Sequence, residues 1–574
     1  MRQLLSMFKP WRRDAVLAPL FKLLEATFEL LVPLVIAQLI DVGIAGGDRG
    51  YIFGRSAILV AFGVVGMAAA ITAQYFAARA AVGFAAAVRR ALFEKINALS
   101  FSALDQTGTS TLLTRLTNDV NQVQNGVNLL LRLFLRSPFI VFGAVIMACV
   151  VDAGSAPLFL GVVAALSVVV FGVMLLTIRR YKAIQSQLDL VLESTRENLD
   201  GARVIRAFCS EADEDARFTA RNRLLSRLQT ATGRLSALLN PVTFLLINAG
   251  VLLLIRYGAL QVDSGALTRG QVVALYNYMG QILVELIKLA DLIITVTRAA
   301  ASGVRISDVL RMDTSVDFAA DDGVRGTAAV EFRNVSLAYH EGAAPALRDI
   351  SFTAQPGQVI GIIGGTGSGK TSLVHLLPRF YDATGGEIRI LGRDVRSWPL
   401  EQLRRSVPVV LQRAVLFQGT LRENLRWGNP EADDDCMWDA LTAAQAASFV
   451  QEKGGLDMPI AAGGRNLSGG QRQRLSIARA LVGHPPVLVL DDSASALDYV
   501  TERSLRTAIA DLPEHPTVFM VSQRTASLRQ ADQILVLDGG RLVGCGRHEE
   551  LLNTCPVYRE IYESQFGKGE EAAQ

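Results

Sequence analysis

The stretch from Gly364 to Thr371 reads GGTGSGKT, and it decides the fold of the C-terminal half of the chain. Its spacing, G-x-x-x-x-G-K-T, is typical of a loop whose backbone N–H groups and lysine surround phosphate groups. The apolar run VIGIIG before it predicts a buried parallel strand, and SLVHLLPRF after it predicts a helix. The loop therefore lies at a helix start, where exposed N–H groups and the helix dipole attract an anion.

This phosphate loop predicts a nucleotide and Mg²⁺ as ligands. Lys370 is expected to reach the β- and γ-phosphates, and the Thr371 hydroxyl is expected to hold Mg²⁺. Tyr339, upstream of the loop, either stacks on an adenine ring or packs as an ordinary tyrosine at a strand end. The residues expected to bind the nucleotide are Tyr339, Gly364, Gly365, Thr366, Gly367, Ser368, Gly369, Lys370, Thr371 and Ser372.

Composition indicates a chain of more than one domain that is unusually apolar for a soluble protein. Its 574 residues exceed what one core holds, and 50% of them are hydrophobic. The net charge of +3 does not point to nucleic acid. The five cysteines form no C-x-x-C pair, which argues against a disulfide framework or a zinc site. The N-terminus is basic and broken at Pro10, so it predicts no cleavable signal peptide.

Six apolar segments in the first 300 residues are each near the roughly 20 residues that cross a bilayer. Lysine and arginine concentrate in the connections 79–136 and 179–234, which places these connections and both termini in the cytoplasm. Helical periodicity continues into both connections, whose tips, at 101–110 and 199–208, have no strong helical pattern. The predicted spans are 16–40, 57–78, 137–151, 157–178, 235–255 and 272–296.

The sequence thus predicts a membrane all-α, six-helix transmembrane domain with long cytoplasmic helical extensions, fused to an α/β P-loop ATPase domain. The first domain covers residues 1–312, and a segment rich in Asp, Gly and Ala at 313–327 is the predicted linker. Residues 328–574, in which short strands alternate with helices, form the predicted nucleotide-binding domain.

Polar residues inside the spans are costly in lipid and need a role. Asn277, Gln281 and Lys288 in the sixth span share one helical face. Either they line a water-filled substrate path, or they pair with neighbouring helices as packing contacts. The first span carries a second polar face of this kind, formed by Lys22, Glu25 and Glu29.

Two further motifs lie downstream of the phosphate loop. In NLSGGQRQRLSIARAL, residues 466–481, Ser468 and two glycines precede a helix, so that N–H groups and a hydroxyl again face an anion. In VLVLDDSASALD, residues 487–498, acids follow an apolar strand. Asp491 is placed to hold Mg²⁺ through water, as in a Walker B site, and Asp492 comes next.

The order of these motifs resembles that of an ATP-binding cassette: GGTGSGKT, Gln412 in VVLQRAVLFQGT, LSGGQ, LVLDD and SALD. With six preceding spans, the whole chain resembles one half of a bacterial ABC exporter of the multidrug type. The resemblance implies ATP and Mg²⁺ as cofactors, with Thr371, Gln412 and Asp491 around the metal. It also implies that the tips at 101–110 and 199–208 are coupling helices that rest on the cassettes.

In this family two cassettes dimerise head to tail, and each ATP lies between one phosphate loop and the other cassette's LSGGQ. The resemblance therefore implies that Ser468 and Gly470 act on the partner's nucleotide, and that Asp498 of SALD belongs to the site. It implies ATP hydrolysis coupled to export of hydrophobic or amphipathic compounds, such as drugs, lipids or peptides. The expected location is the bacterial inner membrane, with the nucleotide-binding domain in the cytoplasm.

Two positions depart from the family pattern. Asp492 stands where the catalytic carboxylate is normally Glu, and Gln523 in VSQRTAS stands where the switch histidine is expected. A carboxylate one methylene shorter holds the attacking water less well, and glutamine carries no positive charge. We therefore interpret the chain as the degenerate-site subunit of a heterodimer, whose LSGGQ completes the active site of a second half-transporter. The alternative is an active homodimer that tolerates both substitutions.

Other functions remain open on the sequence alone. One alternative is a siderophore or lipid transporter of the same fold, and another is an ATP-binding regulatory membrane subunit that does not itself transport. The intact LSGGQ and the two tips favour a transport ATPase.

Overall fold

The computed structural model describes residues 2–312, 323, 327–340, 342–493 and 497–566. The chain divides into two compact units: Met1–Ala98 with Gly108–Met312, and Leu99–Thr107 with Asp313–Gln574. The predicted linker lies outside the described residues, apart from Gly323 and Thr327. The predicted domain boundaries thus remain a prediction, although one division between the units falls after Met312.

The described part of the first unit is helical. Its apolar segments continue without interruption into arginine-rich amphipathic segments, so single helices extend beyond the apolar spans. The longest helix has 49 residues and the next 45, so both continue far beyond a bilayer's thickness. The helices up to residue 311 are α1 Arg2–Met7, α2 Arg12–Gln38, α3 Arg49–Asn97, α4 Phe101–Thr107 (which belongs to the second unit), α5 Thr109–Thr114, α6 Val120–Leu133, α7 Arg136–Val151, α8 Ala156–Asp200, α9 Ala202–Ala207, α10 Glu211–Ala237, α11 Leu239–Asp263 and α12 Arg269–Arg311.

In the described part of the chain, five helical stretches are long and apolar enough to cross a membrane. The sixth predicted span falls within α12, which is long enough but is not among these five. Its middle carries Glu285, Lys288 and Asp291, and these charges lower the apolar character of the segment. The five stretches are Lys9–Ile44, Arg49–Asn97, Thr109–Val151, Ala153–Asp200 and Glu211–Asp263.

Each tip of the long connections contains a short helix, although its sequence has no strong helical pattern. A helix at each tip is what the resemblance implies, and its coupling role stays a prediction. These helices are α4 and α9, of seven and six residues. Helices of this length are marginal by themselves and depend on tertiary packing, so periodicity does not reveal them. In α9 the side chain of Val204 is exposed, and Phe208, just beyond the helix, is exposed as well.

A buried charge cluster joins α2, α7 and α12 within the first unit. Arg136 donates to Glu29 at 2.7 Å and to Glu285 at 2.6 Å, and Lys288 donates to Glu285 at 2.8 Å. Arg136 and Glu285 are 6% and 2% exposed. Charges removed from water at this level need partners, and the cluster provides them with three cationic and three anionic side chains: Lys22, Arg136 and Lys288 with Glu25, Glu29 and Glu285.

The described part of the second unit contains two main sheets and a small pair of antiparallel strands. One sheet has the order β2-β1-β4-β5 and is antiparallel, the other has the order β12-β11-β3-β10-β9-β6, and β7 pairs with β8. The strands are β1 Val330–Leu337, β2 Leu347–Ala354, β3 Val359–Gly364, β4 Gly385–Ile390, β5 Arg393–Asp394, β6 Val409–Val410, β7 Gly419–Thr420, β8 Pro459–Ile460, β9 Val487–Asp491, β10 Thr517–Val521, β11 Gln533–Asp538 and β12 Arg541–Gly546.

The six-stranded sheet positions the site. Its strands β11, β3, β10, β9 and β6 are parallel, and only β12 at the edge is antiparallel. Parallel strands carry their loops to one edge, and ligands of such sheets bind there. The helices of this unit after α4 are α13 Lys370–Leu376, α14 Leu400–Ser406, α15 Leu421–Leu425, α16 Asp434–Ala443, α17 Ala447–Glu452, α18 Gly469–Leu481, α19 Tyr499–Ala510, α20 Thr525–Leu528, α21 His548–Thr554 and α22 Pro556–Phe566.

Candidate functional site

The phosphate loop connects β3 to α13, as the sequence predicts. Gly369 has φ +99°, and a side chain there would meet Leu347 Cδ2 at 2.8 Å and the Ala346 carbonyl oxygen at 2.9 Å. Glycine is therefore required for this close approach. A Cβ added at Gly365 or Gly367, by contrast, would meet nothing within 4 Å. This open side of the loop is where phosphate groups fit, in reach of its backbone N–H groups.

Lys370 is buried at the base of the loop, beside the open side. Its ammonium donates to the carbonyl oxygens of Gly364 at 2.9 Å and Gly365 at 2.7 Å. Burial lowers the pKa of Lys370, while Asp492 and Asp491 act in the opposite direction. A negative phosphate would add to these carboxylates in favouring the charged ammonium. The neighbouring loop residues Thr366 and Ser368 and the first helical residues complete the predicted nucleotide-binding set.

The predicted Mg²⁺ position brings together oxygen ligands of the kind that this ion prefers. Thr371 Oγ1, in the first turn of α13, donates to Asp491 Oδ1 at 3.1 Å, and Asp491 is the last residue of β9. Burial raises the pKa of Asp491, and the hydrogen bond from Thr371 opposes that shift. Mg²⁺ usually takes one or two protein ligands and completes its shell with phosphates and water. The described residues contain no cluster of three or more His, Cys, Asp or Glu side chains that could hold a metal.

Gln412 contacts the second acid of the Walker B segment. Its amide nitrogen donates to Asp492 Oδ2 at 3.0 Å. Asp492 has φ +46°, a left-handed conformation that aspartate tolerates better than most residues. Burial raises the pKa of Asp492, while Gln412, Lys370 and Arg524 oppose that shift. The structure thus brings Gln412, Asp491 and Asp492 to one edge of the sheet, and the metal role of Gln412 stays a prediction.

Gln523 follows β10, the strand between β3 and β9, so it belongs to the same edge of the sheet. Its side chain is exposed. The turn that carries it is tied to the strands, because Ser522 N donates to the Ile362 carbonyl oxygen at 3.1 Å and Arg524 N donates to Ser522 Oγ at 3.0 Å. These contacts fix the backbone on both sides of Gln523, and its role as the switch residue stays a prediction.

The LSGGQ residues begin helix α18. Ser468 is its N-cap: Ser468 Oγ accepts from Gln471 N at 3.3 Å, and Gln471 Oε1 accepts from Ser468 N at 3.1 Å. Gly469 and Gly470 lie in the first turn rather than before the helix, because the cap is Ser468 itself. A Cβ at Gly469 would meet nothing within 4 Å. This helix start is thus open to a ligand from outside the chain.

Asp498 of SALD caps helix α19. Its carboxylate accepts from Thr501 N at 2.9 Å and from Thr501 Oγ1 at 2.8 Å. An N-cap contact of this kind contributes about 1 kcal/mol to a helix. The observed contacts of Asp498 are therefore structural, and its predicted part in the ATP site stays a prediction.

Tyr339 lies two residues beyond β1 and is partly exposed. Its hydroxyl is 2.7 Å from Ser372 Oγ, which follows the phosphate loop. Its ring meets Tyr381 edge-on, with ring centroids 5.0 Å apart. The ring is thus held beside the start of α13 with part of its surface uncovered, which suits the predicted adenine contact.

Sequence reasoning missed a set of side chains behind Tyr339. Tyr381 donates to the Asp105 carboxylate, and the Phe101 ring stacks on Phe380 at 4.1 Å. His375 Nε2 lies 3.7 Å from Asp491 Oδ2, and burial lowers the pKa of this histidine. These residues link α4 to the nucleotide edge. The only signal for them in the sequence was that Phe101 and Asp105 lie within a predicted coupling tip.

In the first unit, the three residues of the predicted substrate path form hydrogen bonds or ion pairs with other residues of the same unit. Asn277 Nδ2 donates to the Val273 carbonyl oxygen at 2.9 Å within its own helix. Gln281 Nε2 donates to the Glu29 carbonyl oxygen at 3.2 Å, and Lys288 belongs to the charge cluster. Only the Gln281 contact joins two helices directly, as the packing alternative expects, because Lys288 pairs with Glu285 of its own helix. All three side chains are half-buried.

Comparisons with known proteins agree along the whole chain. A family model described as "ABC transporter transmembrane region" matches residues 16–286, and one described as "ABC transporter" matches residues 347–495. The chain is 37% identical over 574 residues to "Uncharacterized ABC transporter ATP-binding protein YfiB" of Bacillus subtilis (strain 168), which covers 99% of each chain.

Two further similarities concern a named flippase and a solved structure. The chain is 31% identical to an "ATP-dependent lipid A-core flippase" of Syntrophus aciditrophicus (strain SB), over 85% of this chain and 82% of that protein. It also matches the "Structure of a bacterial Atm1-family ABC exporter with ATP bound" with a TM-score of 0.80 and 23% identity, over 98% of this chain and 99% of that one. The structural match supports the fold alone.

Proposed function

This chain belongs to the ABC transporter family, and on that premise we propose that it is the degenerate-site subunit of a heterodimeric, ATP-driven exporter. The proposal places it in the bacterial inner membrane with its nucleotide-binding domain in the cytoplasm. The observation that carries it is the coincidence of Asp492 and Gln523 at one edge of the sheet whose other motifs are intact. In this account ATP and Mg²⁺ bind the chain's own phosphate loop, while its LSGGQ completes the partner's site.

Two properties of Asp492 act in opposite directions on its strength as a base. Its raised pKa favours accepting a proton from water. Its side chain is one methylene shorter than that of glutamate, and misplacement by about 1 Å can reduce a rate about 100-fold. The loss of reach outweighs the gain in basicity, because general-base strength changes with pKa only gradually. Asp492 therefore supports slow hydrolysis at best.

Gln523 removes a second contribution at the same site. A cationic residue aimed at the γ-phosphate stabilises the charge that develops there by its own charge as well as by a hydrogen bond. Glutamine supplies only a neutral amide. Ser468 and the two glycines at the start of α18 retain the donors that a partner's nucleotide needs. This pattern matches a subunit that gives a complete signature and keeps a slow site.

The polar and apolar side chains of the first, membrane-spanning unit fit an amphipathic substrate best. Half-buried Asn277, Gln281 and Lys288 lie on one face of α12, among apolar helices, so a substrate path there would offer polar groups to a compound with a large apolar part. The names of two relatives, both lipid A-core flippases at 30–31% identity, favour a lipid among such compounds. We therefore propose lipids or similar amphipathic molecules as the substrate class.

We expect the purified chain alone to hydrolyse ATP slowly, and co-expression with a half-transporter that carries Glu and His at the equivalent positions to restore turnover. The measurement is steady-state phosphate release by both preparations. A matched variant of the single chain, Asp492→Glu with Gln523→His, should gain turnover if these two residues are the cause. Rapid vanadate-sensitive turnover by the unaltered chain alone would show an active homodimer instead.

A further inference from the structure

The last described helix, α22, contacts the switch turn, residues 522–525, through the side chain of Gln565. The Gln565 amide nitrogen donates to the Gln523 carbonyl oxygen at 2.7 Å. The Gln565 amide oxygen accepts from the backbone N–H of Thr525 and from its hydroxyl, both at 2.9 Å. The amide thus uses its donor and its acceptor on the two flanks of Arg524.

Buried side-chain contacts anchor helix α22, and they fix the position from which Gln565 contacts the switch turn. Tyr558 is fully buried, and its hydroxyl lies 2.7 Å from His548 Nδ1. The Tyr562 ring packs 5.5 Å from the ring of the same histidine. Residues 558, 562 and 565 are spaced i, i+4 and i+7, which places them on one face of the helix. That face is the one turned toward the core and the switch turn.

The other side of the switch turn is connected to the phosphate loop. Ser522 N donates to the Ile362 carbonyl oxygen in β3, the strand that ends in the loop. Thr525, which Gln565 contacts, is 1% exposed. The turn is therefore held between β3 on one side and α22 on the other, and its residue 523 has an exposed side chain at the nucleotide edge.

We propose that Gln565 is a positioning residue for Gln523, so that the C-terminal helix takes part in distinguishing ATP from ADP. The proposal rests on the assignment of Gln523 to the switch position. A side chain that hydrogen-bonds to the γ-phosphate must be positioned to within about 1 Å. Gln565 fixes the backbone of Gln523, which carries that side chain. The Gln565 amide supplies both functions at once, a donor for the Gln523 carbonyl and an acceptor for Thr525.

The test compares nucleotide affinities at this chain's own site. Gln565→Met keeps a similar length but removes both hydrogen-bonding functions, and Gln565→Glu keeps the acceptors but loses the donor. Affinities of the purified full chain are measured for Mg²⁺ with ADP and with the non-hydrolysable analogue AMP-PNP. Since the loss of a hydrogen bond to a charged group lowers an affinity about tenfold or more, we expect the preference for AMP-PNP over ADP to fall by about that factor in both variants. The affinity for ADP should stay within about twofold.

Three controls separate positioning from a general defect. Glu560→Ala changes an exposed residue of the same helix and should leave the preference intact. Gln523→Ala should lower the preference as Gln565→Met does, and the double variant should lower it no further, because both act through one side chain. An unchanged preference in Gln565→Met overturns the proposal, and so does an equal loss of affinity for both nucleotides.

The readout also separates this proposal from the proposed function. Equilibrium binding to the chain's own phosphate loop does not require a second subunit, so a homodimeric assembly would leave the expected result unchanged. If Gln565→Met lowers the preference but Gln523→Ala does not, the helix does not act through Gln523 and the proposal is wrong. Failure of the heterodimer is detected separately, by turnover of the chain alone.

Discussion

In the complex of this chain with its partner, we expect Gly469→Leu to reduce ATP turnover about 100-fold or more, and Asp492→Asn to change it by no more than about twofold. Gly469 lies in the first turn of α18, where exposed N–H groups would face the partner's γ-phosphate. Removal of one donor from an oxyanion hole lowers kcat by about 100- to 1,000-fold, and a leucine side chain that blocks this helix start should have an effect of similar size. Asp492 belongs to the site already proposed to be slow.

Gly469→Leu is a sharp test because the space around this glycine is empty within the chain. An added Cβ meets nothing within 4 Å, and the residue does not have a positive φ. The substitution should therefore fold normally and obstruct only what docks from outside. Ser468→Ala should act in the same direction, although it also removes an N-cap contact of about 1 kcal/mol. Steady-state ATPase activity is measured for each variant complex, with thermal unfolding as the control.

The opposite order of effects would contradict this assignment. If Asp492→Asn abolishes turnover while Gly469→Leu and Ser468→Ala do not, the active and degenerate sites are reversed. An aspartate would then suffice as the general base, and this chain's own phosphate loop would carry out the catalysis.

The second large effect concerns nucleotide binding. We expect Lys370→Ala to weaken ATP binding at this chain's own site about 100-fold, because it removes a cation that can make charge-assisted hydrogen bonds to two phosphates. Lys370 also holds the loop through Gly364 and Gly365, so part of the loss will come from a looser loop. Turnover at the partner's site should continue at a reduced rate.

Binding and turnover are measured separately for this variant. Labelled ATP binding to the single chain reports the own site, and phosphate release by the complex reports the partner's site. Arg405→Ala offers a control, since it removes an exposed cation of the same unit that pairs with Glu401 rather than with the phosphate loop or the LSGGQ residues. Complete loss of turnover in an intact Lys370→Ala complex would show that the two sites are more tightly coupled than we propose.

Local motifs explain why much of the fold and of the nucleotide site could be predicted. The phosphate loop depends on a strand, glycines and a helix start that are adjacent in sequence, so its conformation follows from nearby residues. The buried strands β9 and β10 are continuous apolar runs, which is typical of parallel strands covered on both faces.

Contacts between distant parts of the chain explain what the sequence did not show. Arg136 is just outside a predicted span, and its role depends on Glu29 and Glu285, more than 100 residues away on either side. Gln565 is an ordinary polar residue on a C-terminal helix until α22 is placed against the switch turn. Helix α4 is too short for periodicity to reveal. Each of these features depends on tertiary packing, which no local pattern encodes.

The most direct test of the account is to identify which subunit traps nucleotide during hydrolysis. The complex is incubated with photoreactive 8-azido-ATP, Mg²⁺ and vanadate, which replaces the released phosphate only at a site that has hydrolysed ATP, and is then irradiated. We expect the label on the partner subunit, whose phosphate loop faces Ser468 to Gly470 of this chain, and little on this chain itself. Equal or stronger vanadate-dependent labelling of this chain would contradict the claim that its own site is degenerate.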